Sequence, residues 1–136
     1  EMCGRDWSSD VCSSDLVMVD GSGLARKNLI TPAALVDVLQ IMARSPQSEI
    51  FRESLAVAGQ SGTLRNRWLD TPVEGQLSGK SGAISRNFSL AGYLQPERYS
   101  PVAFTIFLNN IDAPGRVARS LIDEMVLAIV ALEPCE

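Results

Sequence analysis

The sequence has no histidine among its 136 residues. That absence removes every Ser-His-Asp or Cys-His catalytic arrangement and the commonest zinc ligand sets, so any catalysis must use another base. Cysteine is scarce: Cys3, Cys12 and Cys135 lie near the two ends without a Cys-x-x-Cys spacing, which indicates neither a metal site nor a disulfide framework. No segment approaches the run of about 18 apolar residues that a membrane span requires. A basic stripe and aromatic-basic interleaving are also missing at a net charge of −4, so nucleic-acid binding has no support. Internal repeats and low-complexity tracts are lacking beyond the first sixteen residues. What remains is an ordinary globular composition, 46% hydrophobic and 21% charged, in a length suited to one domain with room for a core.

The start of the chain stands apart. Residues 6–16 read DWSSDVCSSDL, rich in serine and aspartate, with neither helical nor alternating periodicity and without the basic and apolar regions of a secretory signal. The string resembles the translation of a common sequencing-library adapter. Residues 1–16 are therefore set aside as a non-native segment, and residues 17–136 are taken as the domain portion. Glu1, Asp6, Asp10 and Asp15 lie in that segment against a single base, Arg5, so most of the net charge belongs to it.

From residue 17 the pattern becomes structured. A short strand over 17–20 runs into Asp20-Gly21-Ser22-Gly23, whose glycines suit a tight turn. Thr31-Pro32 offers an N-cap followed by proline at the first helical position, and Leu35, Val38, Leu39 and Met42 then repeat at helical spacing to about Ser45. One or two helical turns are expected over 49–55, with the glycine-rich stretch 58–62 breaking them. Residues 76–81 and 88–94 read as hairpin strands around a five- to six-residue connection, and 102–108 (VAFTIFL) as a continuous apolar third strand. After Asp112, a candidate cap, and Pro114, a long helix is expected to pack Val117, Leu121, Met125, Ala128, Ile129 and Leu132 on the sheet. The class is α+β: a three-stranded antiparallel sheet covered by a long C-terminal helix and an N-terminal amphipathic helix.

Three stretches carry a family resemblance. They are Val19-Asp20-Gly21-Ser22-Gly23-Leu24 with Arg26, Asn28 and Thr31-Pro32; Ala58-Gly59 with Ser61-Gly62-Thr63-Leu64; and Gly79-Lys80-Ser81-Gly82 followed by Leu90-Ala91-Gly92-Tyr93. In order and spacing they resemble the class C low-molecular-mass penicillin-binding proteins, the D-alanyl-D-alanine carboxypeptidase/endopeptidase family, over most of residues 17–110. The resemblance implies the C-terminal part of a β-lactamase/transpeptidase-like domain, acting on peptidoglycan peptides in a periplasmic or other extracytoplasmic compartment, with no cofactor or metal. It places Lys80, Ser81 and Gly82 on the edge strand beside the cleft. There the lysine ammonium and serine hydroxyl would hold the carboxylate of a stem peptide ending in D-Ala-D-Ala, and glycine would let substrate backbone approach. The backbone N–H of Ala83 would be one donor of the oxyanion hole. The Asp20 to Leu24 turn is assigned no catalytic role, and a structural reversal is one reading of it.

The family's nucleophile is the serine of Ser-x-x-Lys, activated by the lysine. Only Lys27 and Lys80 occur here, three residues after Leu24 and Leu77, so the chain has no such motif. Ser85-Arg86-Asn87 matches the family's Ser-x-Asn formally but follows the lysine triplet instead of preceding it, and reads as a polar hairpin loop. The chain alone is thus expected to be catalytically incomplete, with β-lactams binding covalently only in a full-length protein. The sheet residues Phe88, Leu90 and Leu94 are expected to be partly exposed where further helices would pack. Other readings are a β-lactamase-related acyltransferase fragment, a non-catalytic peptidoglycan-binding module of the same fold, and a plain α+β domain without a site.

Overall fold

The computed structural model describes residues 15–133. The three cysteines and all of the adapter-like segment except Asp15 and Leu16 lie outside them. A small antiparallel pair, β1 (Leu16–Val17) with β2 (Leu29–Ile30), brackets the Asp20 turn. Its register begins one residue inside the segment set aside on composition. The turn holds itself: Asp20 Oδ1 accepts from the Ser22 N–H at 2.9 Å, Ser22 Oγ accepts from the Leu24 N–H at 3.1 Å, and Asn28 Oδ1 accepts from the Val19 N–H at 2.8 Å. Asn28 Nδ2 donates back to the Asp20 carbonyl at 2.9 Å.

Helix α1 (Pro32–Arg44) begins as its sequence dictates, with Thr31 Oγ1 accepting from the Ala34 N–H at 3.1 Å. Helix α2 (Ser48–Glu53) follows, then β3 (Ala56–Val57) and a 3-10 turn (Gly62–Leu64). The three expected strands are β4 (Leu77–Ile84), β5 (Asn87–Leu94) and β6 (Val102–Leu108). β3 adds a fourth, so the sheet runs β3-β4-β5-β6, antiparallel throughout. A strand of two residues carries too little alternation to be read from sequence.

The sheet has two differently covered faces. Leu77, Leu90, Leu94 and Phe104 share one face with helix α3 (Gly115–Val130), which packs Ile122 and Val126 into the same core. Leu90 and Leu94 are thus fully buried, which corrects the expectation that they are partly exposed, while Phe88 is partly exposed as expected. Ser89, Ala91 and Tyr93 point to the opposite face, where α1 lies. The Tyr93 hydroxyl donates to the Leu39 carbonyl at 2.6 Å, and its ring meets Phe51 edge-on at 6.4 Å.

Two further expectations are corrected. Over its first three turns the face of α3 turned to the sheet is one residue out of phase with the one expected, since Ile122 is 2% exposed but Leu121 is 41%, and Val117 and Met125 are also exposed, whereas Ile129 packs against the core as expected. The helix is apolar over two adjoining stripes, so periodicity supplies the spacing but leaves the phase open. Pro114, not Asp112, occupies its N-cap position. Second, the β4–β5 connection is two residues, Ser85 and Arg86, both left-handed at φ 43° and 69°. Such a turn ordinarily uses Asn-Gly or Asp-Gly, and Ser-Arg carries no such cue. Tertiary bonds hold it instead. The Arg86 carbonyl accepts from the Ile111 N–H at 2.9 Å, its guanidinium pairs with Asp112 at 3.1 Å, and Arg26 donates to Ser85 Oγ at 2.9 Å.

Candidate active-site edge

β3 covers only the start of β4. Ala56 pairs with Gly79 and Val57 with Ser78, so residues 80–84 have a strand partner on the β5 side alone. The hydrogen bonds at the start of the strand fix which groups turn outward. The Leu77 carbonyl accepts from the Ala58 N–H at 2.9 Å on the β3 side, whereas the Gln76 carbonyl accepts from the Gln95 N–H at 2.9 Å on the β5 side. Antiparallel ladders alternate residue by residue. The N–H and C=O groups of Ser81 and Ala83 therefore face the open edge, while Lys80, Gly82 and Ile84 bond to β5.

The side chains follow the same alternation. Lys80 and Gly82 lie on the α1 side, opposite Ala91 and Ser89. There a groove of about 430 Å³ opens between the strand and the helices, with Leu35, Leu39, Phe51 and Leu55 as its apolar wall and Lys80, Ser81 and Gly82 along its rim. Lys80 is exposed, and its Nζ curls over the edge to donate to the Ser81 carbonyl at 2.6 Å. Ser81 Oγ lies 2.8 Å from Thr63 Oγ1. A Cβ at Gly82 would stand 2.6 Å from Ser89 Oγ, so a larger residue there would make the Ser89 hydroxyl rotate away. All four residues singled out from sequence, Lys80 to Ala83, thus lie on one strand segment with an unpaired edge.

Two neighbours were missed as participants. Thr63 and Arg26 stand 18 and 59 residues from their partners Ser81 and Ser85, and no local pattern links such positions. Both belong to stretches that carried the resemblance, which is the only signal that could have marked them. Among the described residues no group of three or more Cys, Asp or Glu is placed to hold a metal ion, and no helix is long and apolar enough to cross a membrane.

An antiparallel sheet between helices, with a Lys-Ser-Gly strand at an open edge, defines the sheet half of a penicillin-binding peptidase fold. Penicillin binding protein 4 from Haemophilus influenzae, complexed with a β-lactam, superposes with a TM-score of 0.71 at 25% identity over 88% of this chain and 29% of that one. A penicillin G-acylated endopeptidase from Bdellovibrio bacteriovorus shares the fold at a TM-score of 0.73 and 19% identity, over 86% of this chain and 34% of that one. The chain belongs to the D-Ala-D-Ala carboxypeptidase 3 (S13) family, whose model matches residues 7–131. It is 38% identical over 113 residues to a D-alanyl-D-alanine carboxypeptidase of Actinomadura sp., covering 79% of this chain and 21% of that protein. A penicillin-sensitive carboxypeptidase A of Dictyostelium discoideum is 34% identical over 119 residues, covering 82% and 23%. The chain thus spans under a quarter of the length of these relatives.

Proposed function

We propose that this chain is one wall of the active site of a serine-type D-Ala-D-Ala carboxypeptidase/endopeptidase that acts on peptidoglycan peptides outside the cytoplasm. The observation that carries the reading is the open edge of β4, where a lysine ammonium, a serine hydroxyl and two outward backbone amides lie within four residues. Lys80 and Ser81 hold the terminal carboxylate by a charge and a hydroxyl hydrogen bond. Gly82 admits the peptide backbone, and the Ala83 N–H points at the oxygen of the carbonyl under attack.

In the complete site a serine of Ser-x-x-Lys adds to that carbonyl, its proton passing to the lysine, and the C–N bond breaks as the amine of the leaving residue takes up a proton. Water then cleaves the acyl-serine ester. This chain contributes binding and oxyanion stabilisation to those steps and no nucleophile. Membership of a carboxypeptidase family favours this reading over a β-lactamase-related one.

The test is a titration of the chain with a peptide ending in D-Ala-D-Ala and with its C-terminal amide. The free carboxylate should bind measurably, the amide at least about tenfold more weakly, and Lys80→Ala should erase the difference, in keeping with about 1.5–3 kcal/mol for a charge-assisted contact. Equal binding of acid and amide would remove Lys80 and Ser81 from the carboxylate site.

A further inference from the structure

We infer that Thr63 is a positioning residue, which orients the Ser81 hydroxyl so that its proton is free for a ligand. The inference rests on the reading of Ser81 as a carboxylate donor. A serine hydroxyl has one proton and two acceptor lone pairs, and left alone it rotates among three wells. The Thr63 and Ser81 oxygens stand 2.8 Å apart, a good O–H···O distance, so one hydroxyl donates to the other. Were Ser81 the donor, its proton would be spent on Thr63 and none would remain for a carboxylate. With Thr63 donating, the Ser81 oxygen is held as an acceptor and its own proton turns to the open edge, where Lys80 Nζ also lies. A carboxylate arriving there selects that arrangement because it can only accept.

Thr63 can do this because its own turn is tied to the strand that stops at Gly79. Ser61 Oγ accepts from the Val57 N–H at 2.9 Å, and the Gly59 N–H donates to the Leu64 carbonyl at 3.0 Å. Gly62, left-handed at φ 54°, lets the turn lie against β3, since a Cβ there would stand 2.8 Å from Ala56 Cβ. Leu64 is fully buried and anchors the other end. Thr63 is itself exposed and makes no other side-chain hydrogen bond among those described, so its hydroxyl has little structural work apart from Ser81.

The experiment compares Thr63→Val, which keeps the shape and loses the hydroxyl, with Thr63→Ser, which keeps the hydroxyl. Affinity for the D-Ala-D-Ala peptide should fall about fivefold to tenfold in Thr63→Val and stay near wild type in Thr63→Ser, while the amide shows no change in either. Thr63→Val added to Ser81→Ala should cost nothing beyond Ser81→Ala alone, because Thr63 acts through Ser81. Additive losses, or wild-type affinity in Thr63→Val, overturn the inference. A ligand-free measurement separates it from the function on which it rests. The Ser81 side-chain rotamer, read from three-bond NMR couplings, should be single in the wild type and in Thr63→Ser and averaged in Thr63→Val. If the wild type binds no peptide but the rotamer responds in this way, the carboxylate reading fails and the positioning stands; an unaltered rotamer ends the positioning role.

Discussion

At the scale of single residues, close approach and burial decide more than charge does. Gly92 faces Gly79 across the β4–β5 ladder, and a Cβ on it would stand 2.2 Å from the Ser78 carbonyl oxygen and 2.6 Å from Gly79 Cα. Backbone on both strands cannot give way as a flexible side chain would. Gly92→Ala should therefore lie at or above the upper end of the roughly 1–3 kcal/mol typical of overpacking, measurable as a lowered urea midpoint. Tyr93, next to it, is buried, and that burial pushes its hydroxyl above the ordinary 10.0, with a smaller opposing pull from Arg52. The neutral form is the one the fold prefers. Stability from this group is fully present below pH ~10 and is lost as pH rises through the raised folded value. Tyr93→Phe should cost about 1 kcal/mol at neutral pH through the lost bond to Leu39 and should flatten the alkaline decline in denaturant melts. Lys80 to Ala83 could be singled out at this scale because they form a local string, and the structure places them on one strand edge. The Tyr93–Leu39 and Thr63–Ser81 contacts were not, since each joins elements that only the fold brings together.

At the scale of elements, α1 was legible to within a residue, from its Thr31 cap to its end at Arg44. Cap, proline and apolar spacing all agree there. For α3 the sequence offers two apolar stripes side by side, and only contact with Leu90 and Leu94 selects the one centred on Ile122. That selection has a direct check by thermal or urea unfolding. Ile122→Ala should cost about 2–5 kcal/mol, as for a buried large-to-small change, whereas Leu121→Ala should stay within about 0.5 kcal/mol. A larger loss in Leu121→Ala than in Ile122→Ala would place the helix in the phase expected from sequence. The β4–β5 turn shows the converse case. Ser85 and Arg86 are poor residues for a left-handed pair, and bonds from Arg26, Ile111 and Asp112 impose the conformation from outside.

At the scale of the whole molecule, the proposed carboxylate-binding groups sit in a chain that contains no Ser-x-x-Lys. Incubated with a labelled penicillin, it should form no covalent adduct, and a stoichiometric adduct seen by mass spectrometry would contradict the assignment of the nucleophile to a Ser-x-x-Lys absent here. We also propose that residues 1–16 derive from adapter DNA; codons for them in an unligated genomic template would end that proposal. Fold class was legible because helix and strand periodicities alternate cleanly after residue 17, while the covering of each sheet face depended on contacts between distant segments. β3, short as it is, has a consequence for which molecules the edge accepts. It blocks the sheet at Gly79 and leaves five residues beyond it, about 17 Å of unpaired strand. An antiparallel strand laid along this edge from the hairpin tip would meet β3 after five residues, so the length of such a pairing is capped by the fold itself.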